Sequence, residues 1–318
     1  MTLVQLEYIV AVDTYRSFVA AAEKCFVTQP TLSMQVQKLE ETLGVKLFDR
    51  SRQPVVPTEI GTQIIQQARK ILDESARIRE LIDGHQGEIK GDLKVGVIPT
   101  LAPYLMPGVI TGMLKNYPAL RLQIWELTTD QIIAQLKNGL LDCGLLSTPL
   151  GDQALQEIPL LYESFAVYLS DNSPLVKKKY LSSKDIAGAG LWLLNEGHCM
   201  RNQVLNICRQ KDSGDHPQNF EYNTGSVETL KRMVDLGNGI TILPELSLGD
   251  LTHQQLERVR YFKTPEPVRE ISIVTHRNFL KRSAIDALEK QILSTIPKNM
   301  RSNKKREVVG IKVGFPTS

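Results

Sequence analysis

Apolar and polar positions follow a helical period from the start of the chain. A polar break at residues 13–17 separates a first predicted helix from a second one over residues 18–25. A third predicted helix has Thr28 as its N-cap, Pro30 in its first turn and Gly44 as its stop. Its apolar face, which we expect to pack against the two earlier helices, comprises Leu32, Val36, Leu39 and Leu43.

The opposite face of the third helix presents short hydroxyl and amide side chains, which can hydrogen-bond to phosphates and base edges. Residues 45–57 then predict two short strands around a basic turn, a wing whose arginines would face the phosphate backbone. This layout favours a helix-turn-helix that places its last helix in the major groove, and a helical bundle with a polar face is the alternative. The candidate DNA-contacting residues are Thr28, Gln29, Pro30, Thr31, Ser33, Gln35, Gln37, Arg50 and Arg52.

A long periodic segment follows, with Thr58 as its N-cap and a polar, glycine-containing end near residues 83–88. Its apolar stripe continues over more turns than a small domain needs for its own core. Such a stripe is typical of a coiled-coil-like seam, so we expect this helix to pair with a second copy. The stripe comprises Ile60, Ile64, Ile65, Ala68, Ile71, Leu72, Ser75, Ile78 and Leu81.

After Gly91 short apolar strands alternate with amphipathic helices, a pattern that predicts an α/β sheet. We expect two α/β lobes, with the chain crossing near Tyr162 and returning near Pro267. A ligand would bind between such lobes, at strand ends and helix N-termini. The predicted strands are 93–98, 120–126, 142–146, 160–169, 191–194, 239–243 and 271–275, and the predicted helices are 104–116, 130–138, 199–208, 226–235 and 283–293.

Composition narrows the class of protein. The chain has 318 residues, 42% of them hydrophobic and 23% charged, which is typical of a soluble globular protein. No apolar run approaches the roughly 20 residues of a membrane span, and the N-terminus lacks a basic leader, so we expect a cytoplasmic protein. The net charge is +3, but residues 298–318 carry six basic residues and one acid, which leaves the rest slightly acidic. Any DNA contact therefore depends on locally placed basic residues.

Two of the four cysteines, Cys199 and Cys208, lie at the two ends of one predicted helix. Nine helical residues rise about 13 Å, whereas a disulfide needs Cα atoms roughly 4.4–6.8 Å apart. Either both thiols are inert packing groups, or a bond between them requires the helix to unwind. Cys25 and Cys143 are expected to be packing residues, and since no CxxC or paired-histidine spacing occurs, no metal site is expected.

The surroundings of Cys199 distinguish it from the other thiols. It follows a predicted strand and turn and begins a helix, where free amides and the helix dipole stabilise an anion. His198 and Arg201 would add positive charge or hydrogen bonds. Cys208, beside Ile207, is expected to be more deeply buried and suited to resolve rather than to react first.

The string Ala21-Ala-Glu-Lys-Cys-Phe-Val-Thr-Gln-Pro-Thr-Leu-Ser33, followed by Leu43-Gly, Leu47-Phe and Arg50, closely resembles the winged helix-turn-helix of the LysR-type transcriptional regulators. The resemblance implies that residues 28–37 face DNA, that Arg50 and Arg52 contact phosphates, and that dimers pair into tetramers. Gln53 and Pro54 depart from the basic or small polar residues that are frequent in that wing.

The string Gly197-His-Cys-Met-Arg-Asn-Gln203 followed by Cys208 resembles the sensor segment of the hydrogen-peroxide-responsive members of that family. The resemblance implies that Cys199 senses the oxidant, that Cys208 resolves it, that Thr100 and Thr129 face the reactive sulfur, that His198 orients the peroxide and that Arg269 supplies cationic support. The sequence alone also allows Thr100 to cap the next helix and Arg269 to pair with Glu266 or Glu270. Asn202 departs from the acidic residue of some members.

We therefore expect an α+β multidomain protein. Its parts are a winged helix-turn-helix (1–58), a linker and dimerisation helix (59–88), a two-lobed α/β regulatory domain like the periplasmic binding proteins (89–297, lobe I 92–162 and 268–297, lobe II 163–267) and a basic, disordered tail (298–318).

The expected function is a transcriptional regulator, not an enzyme, activated by hydrogen peroxide through a reversible Cys199–Cys208 disulfide and needing no cofactor or metal. The expected partners are double-stranded promoter DNA, hydrogen peroxide, further copies of the chain, cellular thiol reductants and RNA polymerase. A regulator that binds a small metabolite between the lobes is the alternative, and a thiol peroxidase would leave the DNA-binding half unexplained.

Overall fold

The computed structural model describes residues 1–85, 89–186, 189–208, 224–237, 239–277, 279, 281–303 and 306–311, without the side chains at 73, 76–77 and 79–85. The chain divides into two compact units, one comprising Met1–Glu88 with Asn278–Leu280 and the other Ile89–Arg277 with Lys281–Ser318. In the described residues no helix is both long and apolar enough to cross a membrane.

The first unit has the predicted winged helix-turn-helix. The third helix begins after Thr28, whose side chain accepts a hydrogen bond from the backbone N–H of Thr31, and ends at Gly44 in the left-handed conformation (φ +71°). The wing is an antiparallel pair in which Phe48 opposes Pro57. The elements are α1 (Leu3–Tyr15), α2 (Phe18–Lys24), α3 (Gln29–Leu43), β1 (Phe48–Asp49), β2 (Val56–Pro57) and α4 (Glu59–His85).

The core of this unit lies between α1, α2, α3 and the start of α4. Leu32, Val36 and Leu39 are fully buried in it, as predicted, but Leu43 is exposed, because the helix ends there, beyond the elements it packs against. A buried carboxylate that the pattern did not predict, Glu40, accepts hydrogen bonds from the backbone N–H groups of Leu47 (2.8 Å) and Phe48 (3.4 Å). Glu40 thus fixes the start of the wing to α3.

Helix α4 uses its apolar stripe in two ways. Ile65 and Ala68 are buried in the core of the first unit. Ile60, Ile71 and Ile78 are exposed large apolar residues on the same helix. The predicted pairing of this helix with a second copy would cover them, while Leu81 of the predicted stripe lies outside the described side chains.

The second unit is built on a mixed sheet with the strand order β4-β3-β5-β11-β6-β10-β7, extended by β12 beside β11, β9 beside β6 and β8 beside β9. The strands are β3 (Gly91–Val97), β4 (Leu120–Glu126), β5 (Cys143–Thr148), β6 (Leu155–Leu169), β7 (Tyr180–Leu181), β8 (Leu191–Trp192), β9 (Ile240–Pro244), β10 (Val259–Phe262), β11 (Glu266–His276) and β12 (Arg306–Val308). The helices are α5 (Ala102–Asn116), α6 (Thr129–Lys137), α7 (Ser183–Ile186), α8 (Cys199–Cys208), α9 (Val227–Asp235), α10 (His253–Leu256) and α11 (Arg282–Thr295).

Strand β6 carries the chain from one lobe to the other. Its first part pairs with β11 as far as Ser164, and from Phe165 it pairs with β9. Strand β11 returns the chain, pairing with β6 from Val268 onwards. The mixed helix and sheet content and the two-lobed α/β architecture therefore agree with the predicted fold.

The expectation of a disordered tail over residues 298–318 is wrong for its described part. Residues Lys298–Arg301 form a 3-10 turn, and Arg306–Val308 form β12, which runs parallel to the start of β11. The basic composition was a misleading signal, because the backbone of this segment completes a sheet edge while the Met300 side chain is buried. Residues 304–305 and 312–318 lie outside the described residues.

Candidate functional site

The helix α8 runs from Cys199 to Cys208, the bounds that the sequence predicts. Both thiols are free, and both are buried, with 9% of Cys199 and 6% of Cys208 exposed. Nine residues correspond to two and a half helical turns, so the two side chains leave the helix on opposite faces and their Cα atoms are about 13 Å apart. While α8 remains helical, the two sulfurs cannot bond.

The start of α8 is formed by a tight turn after β8. Gly197 adopts a positive φ of +89°, which only glycine tolerates at low cost, and a Cβ added there would lie 3.9 Å from the Thr128 methyl group of the other lobe. Arg201 donates a hydrogen bond to the carbonyl of Leu194 at 2.8 Å, which ties the first turn of α8 back to the preceding segment. Cys199 therefore lies where the two lobes approach each other.

His198, which precedes Cys199, packs tightly against Gly225. A Cβ added at Gly225 would lie 2.7 Å from His198 Nε2 and 3.6 Å from Asn195 Oδ1, so a larger residue at position 225 would force the imidazole to move. Burial lowers the pKa of His198, and the imidazole is therefore neutral near pH 7. Of the two contributions predicted for His198, positive charge or hydrogen bonds, the lowered pKa favours hydrogen bonds.

Arg269 is fully buried and joins three elements. Its Nε donates to Glu163 Oε2 at 2.7 Å, and its Nη1 donates to Thr100 Oγ1 at 2.8 Å. Glu163 is also fully buried and accepts a further hydrogen bond from the backbone N–H of Leu246 at 2.7 Å. The structure thus brings Arg269, the predicted source of positive charge, into contact with Thr100. The alternative pairing of Arg269 with Glu266 or Glu270 is wrong, because Arg269 pairs with Glu163. The alternative role of Thr100 as a helix cap is also wrong, because α5 begins after Leu101 without a side-chain cap.

Thr129 is the first residue of α6 and is almost fully buried. Its hydroxyl oxygen makes no hydrogen bond among the described residues. A buried polar atom of this kind is costly unless a water or ligand satisfies it. Thr129 therefore stays a candidate ligand-binding residue, although no hydrogen bond joins it to Thr100 or Arg269.

Cys208 belongs to the core of the second lobe. It is clustered there with Val204 and Met200, which lie about one and two turns earlier on the same face of α8. Burial raises the pKa of the Cys208 thiol to about 11. In this core the thiol is therefore ionised to an even smaller extent at neutral pH than an exposed cysteine is.

Cys143 is fully buried in β5, and burial raises the pKa of its thiol as well. Cys25 is half-buried at the end of α2. Neither lies on α8. In the described residues no group of three or more potential ligands is arranged to hold a metal ion.

The predicted DNA-contacting residues divide into two sets. Arg50 lies 4.7 Å from the centre of the Phe18 ring, donates to Ser33 Oγ at 3.1 Å and is 3.6 Å from Glu40, so it fixes the wing to α3. Arg52 is largely exposed and pairs with Asp49 at 3.3 Å. The residues of α3 and its cap that are exposed are Thr28, Gln29, Pro30, Thr31 and Gln37, while Ser33 and Gln35 are half-buried.

Sequence reasoning missed two residues of the second unit. Glu163, the partner of Arg269, lies 106 positions before it in the chain, and no local pattern connects the two. Gln203 is fully buried on α8 and has a side-chain oxygen without a hydrogen-bond partner among the described residues. The sequence could have indicated Gln203, because it lies four residues after Cys199 and residues at i and i+4 share a helix face.

Two family models match the chain. The LysR substrate binding domain matches residues 86–296, and the bacterial regulatory helix-turn-helix protein, lysR family, matches residues 3–62. The hydrogen peroxide-inducible genes activator of Pectobacterium carotovorum is 34% identical over 303 residues, 95% of this chain and 97% of that protein. The DNA-binding transcriptional dual regulator OxyR of Escherichia coli K12 is 34% identical over 92% of this chain and 95% of its own length.

Solved structures agree with these relatives. Full-length OxyR C199D from Pseudomonas aeruginosa superposes with a TM-score of 0.77 at 34% identity, covering 93% of this chain and 99% of that one. A cysteine-substituted OxyR from Corynebacterium glutamicum with H2O2 bound superposes with a TM-score of 0.59 at 27% identity over 92% of each chain. With both units matched, the chain belongs to the LysR family of DNA-binding transcriptional regulators, and within it the chain is similar to OxyR.

Proposed function

We propose that this regulator is activated by hydrogen peroxide, and that Cys199 and Cys208 form the disulfide that switches it. The observation that carries the proposal is the placement of two free thiols at the two ends of one helix, one at the lobe boundary and one in a lobe core. The relatives that are named hydrogen peroxide-inducible genes activators, and the C. glutamicum relative with H2O2 bound, support it.

The proposed chemistry uses one peroxide and two thiols. The Cys199 thiolate attacks one peroxide oxygen and breaks the O–O bond, and the other oxygen leaves as hydroxide and takes up a proton to become water. Cys199 is then a sulfenic acid. The Cys208 sulfur attacks the Cys199 sulfur, the S–O bond breaks, and the second oxygen leaves with the thiol proton as water. Two electrons pass from the thiols to the peroxide.

The second step requires a change of structure. The sulfurs start on opposite faces of α8 and about 13 Å apart along its axis, and burial holds Cys208 as a protonated thiol. Unwinding α8 shortens the path between the two residues. It also exposes Cys208 to solvent, where the pKa returns toward its ordinary value of 9.0 and a larger fraction of the thiol is ionised. We infer that the disulfide locks the unwound form.

The remaining site residues have distinct proposed roles. Arg269, which is held in place by Glu163, donates a 2.8 Å hydrogen bond to the hydroxyl oxygen of Thr100 and so fixes the direction of that hydroxyl. The unpartnered hydroxyl of Thr129 and the neutral imidazole of His198 are available to hydrogen-bond the peroxide beside Cys199. These groups orient the peroxide and stabilise the departing oxygen.

Unwinding of α8 would be transmitted to DNA through the oligomer. The exposed isoleucines of α4 suit pairing with a second copy, and pairs of dimers would carry four DNA-binding heads. Remodelling the second unit would change the spacing of those heads on the promoter and their approach to RNA polymerase. Cytoplasmic thiol reductants would reset the switch by giving two electrons and two protons to the disulfide.

A DNA footprint of the full-length protein, before and after one equivalent of peroxide, tests this proposal. We expect the protected region to change on oxidation, to stay in the reduced pattern for Cys199→Ser and Cys208→Ser, and to change normally for the control Cys25→Ser. A Cys208→Ser protein that responded as the wild type does would contradict the disulfide switch. A protein whose footprint changed with a small metabolite instead of peroxide would favour the alternative, a regulator that binds a ligand between the lobes. The unpartnered hydroxyl of Thr129 is the observation that supports this alternative.

A further inference from the structure

The described part of the C-terminus forms a strap across the second unit, here defined as residues 306–311. Its first three residues pair with Glu266, Pro267 and Val268 of β11. The strap is held further by a hydrogen bond from the Val309 backbone N–H to the Val268 carbonyl at 2.8 Å. The strap therefore has a fixed position relative to β11, the strand that also carries Arg269.

The strap contacts the sensor helix α8 directly. Gln203 Nε2 donates to the Val309 carbonyl at 2.9 Å, and Asn206 Nδ2 donates to the Gly310 carbonyl at 3.1 Å. Residues 199, 203 and 206 are spaced by four and three, so Cys199 and these two side chains share one face of α8. The strap thus lies along the Cys199 face, while Cys208 faces the lobe core.

We propose that the strap is a positioning segment for the sensing reaction: it holds α8 helical in the reduced protein and must release Gln203 and Asn206 before Cys208 can reach Cys199. This inference rests on the proposed disulfide switch. Both contacts fall between the two cysteines, in the turns that unwinding has to move. The strap then controls the rate of disulfide closure, and it leaves the attack of Cys199 on peroxide unchanged.

Two truncations of the full-length protein test this role. One ends at residue 305 and lacks the strap, and the matched control ends at residue 311 and keeps it. Disulfide closure is followed by rapid acid quench and peptide mapping after one equivalent of H2O2. Sulfenic acid formation at Cys199 is followed separately by dimedone trapping in a Cys208→Ser background.

We expect closure to be roughly tenfold faster without the strap, from the loss of two hydrogen bonds, and sulfenic acid formation to be unchanged. The control should close at the wild-type rate. Closure that is equally fast or slower without the strap would overturn the inference while leaving the disulfide switch intact. If the full-length wild type formed no Cys199–Cys208 bond at all, both proposals would be wrong.

A point variant keeps the test valid if the truncated protein folds poorly. Asn206→Ala removes one strap contact at an exposed position of α8. Alanine is the better helix former, so helix propensity alone would slow unwinding in this variant. The strap predicts faster disulfide closure for Asn206→Ala than for the wild type, and closure at the wild-type rate or more slowly would contradict it.

Discussion

At the scale of single residues, the buried pair of Arg269 and Glu163 is the polar contact on which the site depends most. Both side chains are fully buried and lie 2.7 Å apart. We expect Arg269→Met to lower the free energy of unfolding by about 3–5 kcal/mol, because it leaves the Glu163 carboxylate buried without its partner. Urea unfolding of the reduced protein measures this loss.

Two further variants separate the buried charge from a general effect of losing an arginine. Arg121→Met, at an exposed position of β4, should change the stability by less than about 0.5 kcal/mol. Adding Glu163→Gln to Arg269→Met removes the stranded charge and should restore part of the lost stability. A double variant less stable than Arg269→Met would show that the charge is not the cause.

Cys208 gives a pH-dependent prediction. Burial raises the pKa of this thiol from its ordinary value of 9.0 to about 11. At any pH well below 9, the thiol is therefore protonated in both the folded and the unfolded chain. Above that pH the unfolded chain releases the proton first, and the stability of the α8 region should fall as the pH rises from about 9 to about 11.

Iodoacetamide alkylation of Cys208 in a Cys199→Ser variant, resolved by peptide mapping, checks this prediction. Alkylation should be slow at neutral pH and rise with a midpoint well above 9, while the same peptide in urea should titrate near its ordinary value. A midpoint at or below the ordinary value in the folded protein would contradict the burial of Cys208.

Residue roles were only partly predictable from sequence. The spacing and surroundings of Cys199 and Cys208 identified the two thiols, because helix geometry alone separates their sulfurs. The burial of His198 was not predictable, since it depends on how Gly225 and Asn195 enclose the ring. The role of Glu163 as the partner of Arg269 was not predictable either, because the two residues meet only after β6 and β11 have paired.

At the scale of elements, the wing separates two arginines that look equivalent in sequence. Arg52 is exposed, so Arg52→Ala should weaken binding of promoter DNA without lowering the melting temperature and should reduce the salt dependence by about one counterion. Arg50→Ala should weaken binding and also destabilise the first unit, because it removes the contacts with Phe18, Ser33 and Glu40.

Fluorescence anisotropy over a salt series, together with thermal unfolding, distinguishes the two variants. Arg121→Ala in the second unit is the matched control and should bind DNA as the wild type does. Equal salt slopes for Arg52→Ala and the wild type would mean that Arg52 does not contact phosphates.

Elements with strong periodicity were predicted well and short ones poorly. The bounds of α8 agree with the prediction, and α3 begins and ends at its predicted cap and glycine. Strands such as β7, β10 and β12 were missed, because two to four residues carry too little pattern and each forms only by pairing with a distant strand. The tail was predicted to be disordered because its basic composition was the stronger signal, while β12 has only three residues.

At the scale of the whole molecule, the second unit combines an extensively paired sheet with a ten-residue helix, α8, that the proposed disulfide would unwind. Strands β6 and β11 pass between the lobes, and the buried Arg269–Glu163 pair joins them in addition to their backbone hydrogen bonds. Helix α8 is bounded by a glycine turn and followed by residues 209–223, which lie outside the described part. We therefore assign the proposed redox change to α8 and its attachments, not to the sheet.

Peptide mapping together with hydrogen exchange, on the full-length protein given one equivalent of peroxide, measures whether α8 unwinds when the two cysteines join. We expect a mass loss of two hydrogens, a peptide linking Cys199 to Cys208, and faster amide exchange across residues 199–208 than in the reduced protein. A linked peptide whose amides remained as protected as in the reduced helix, or the absence of any link, would contradict the proposed switch.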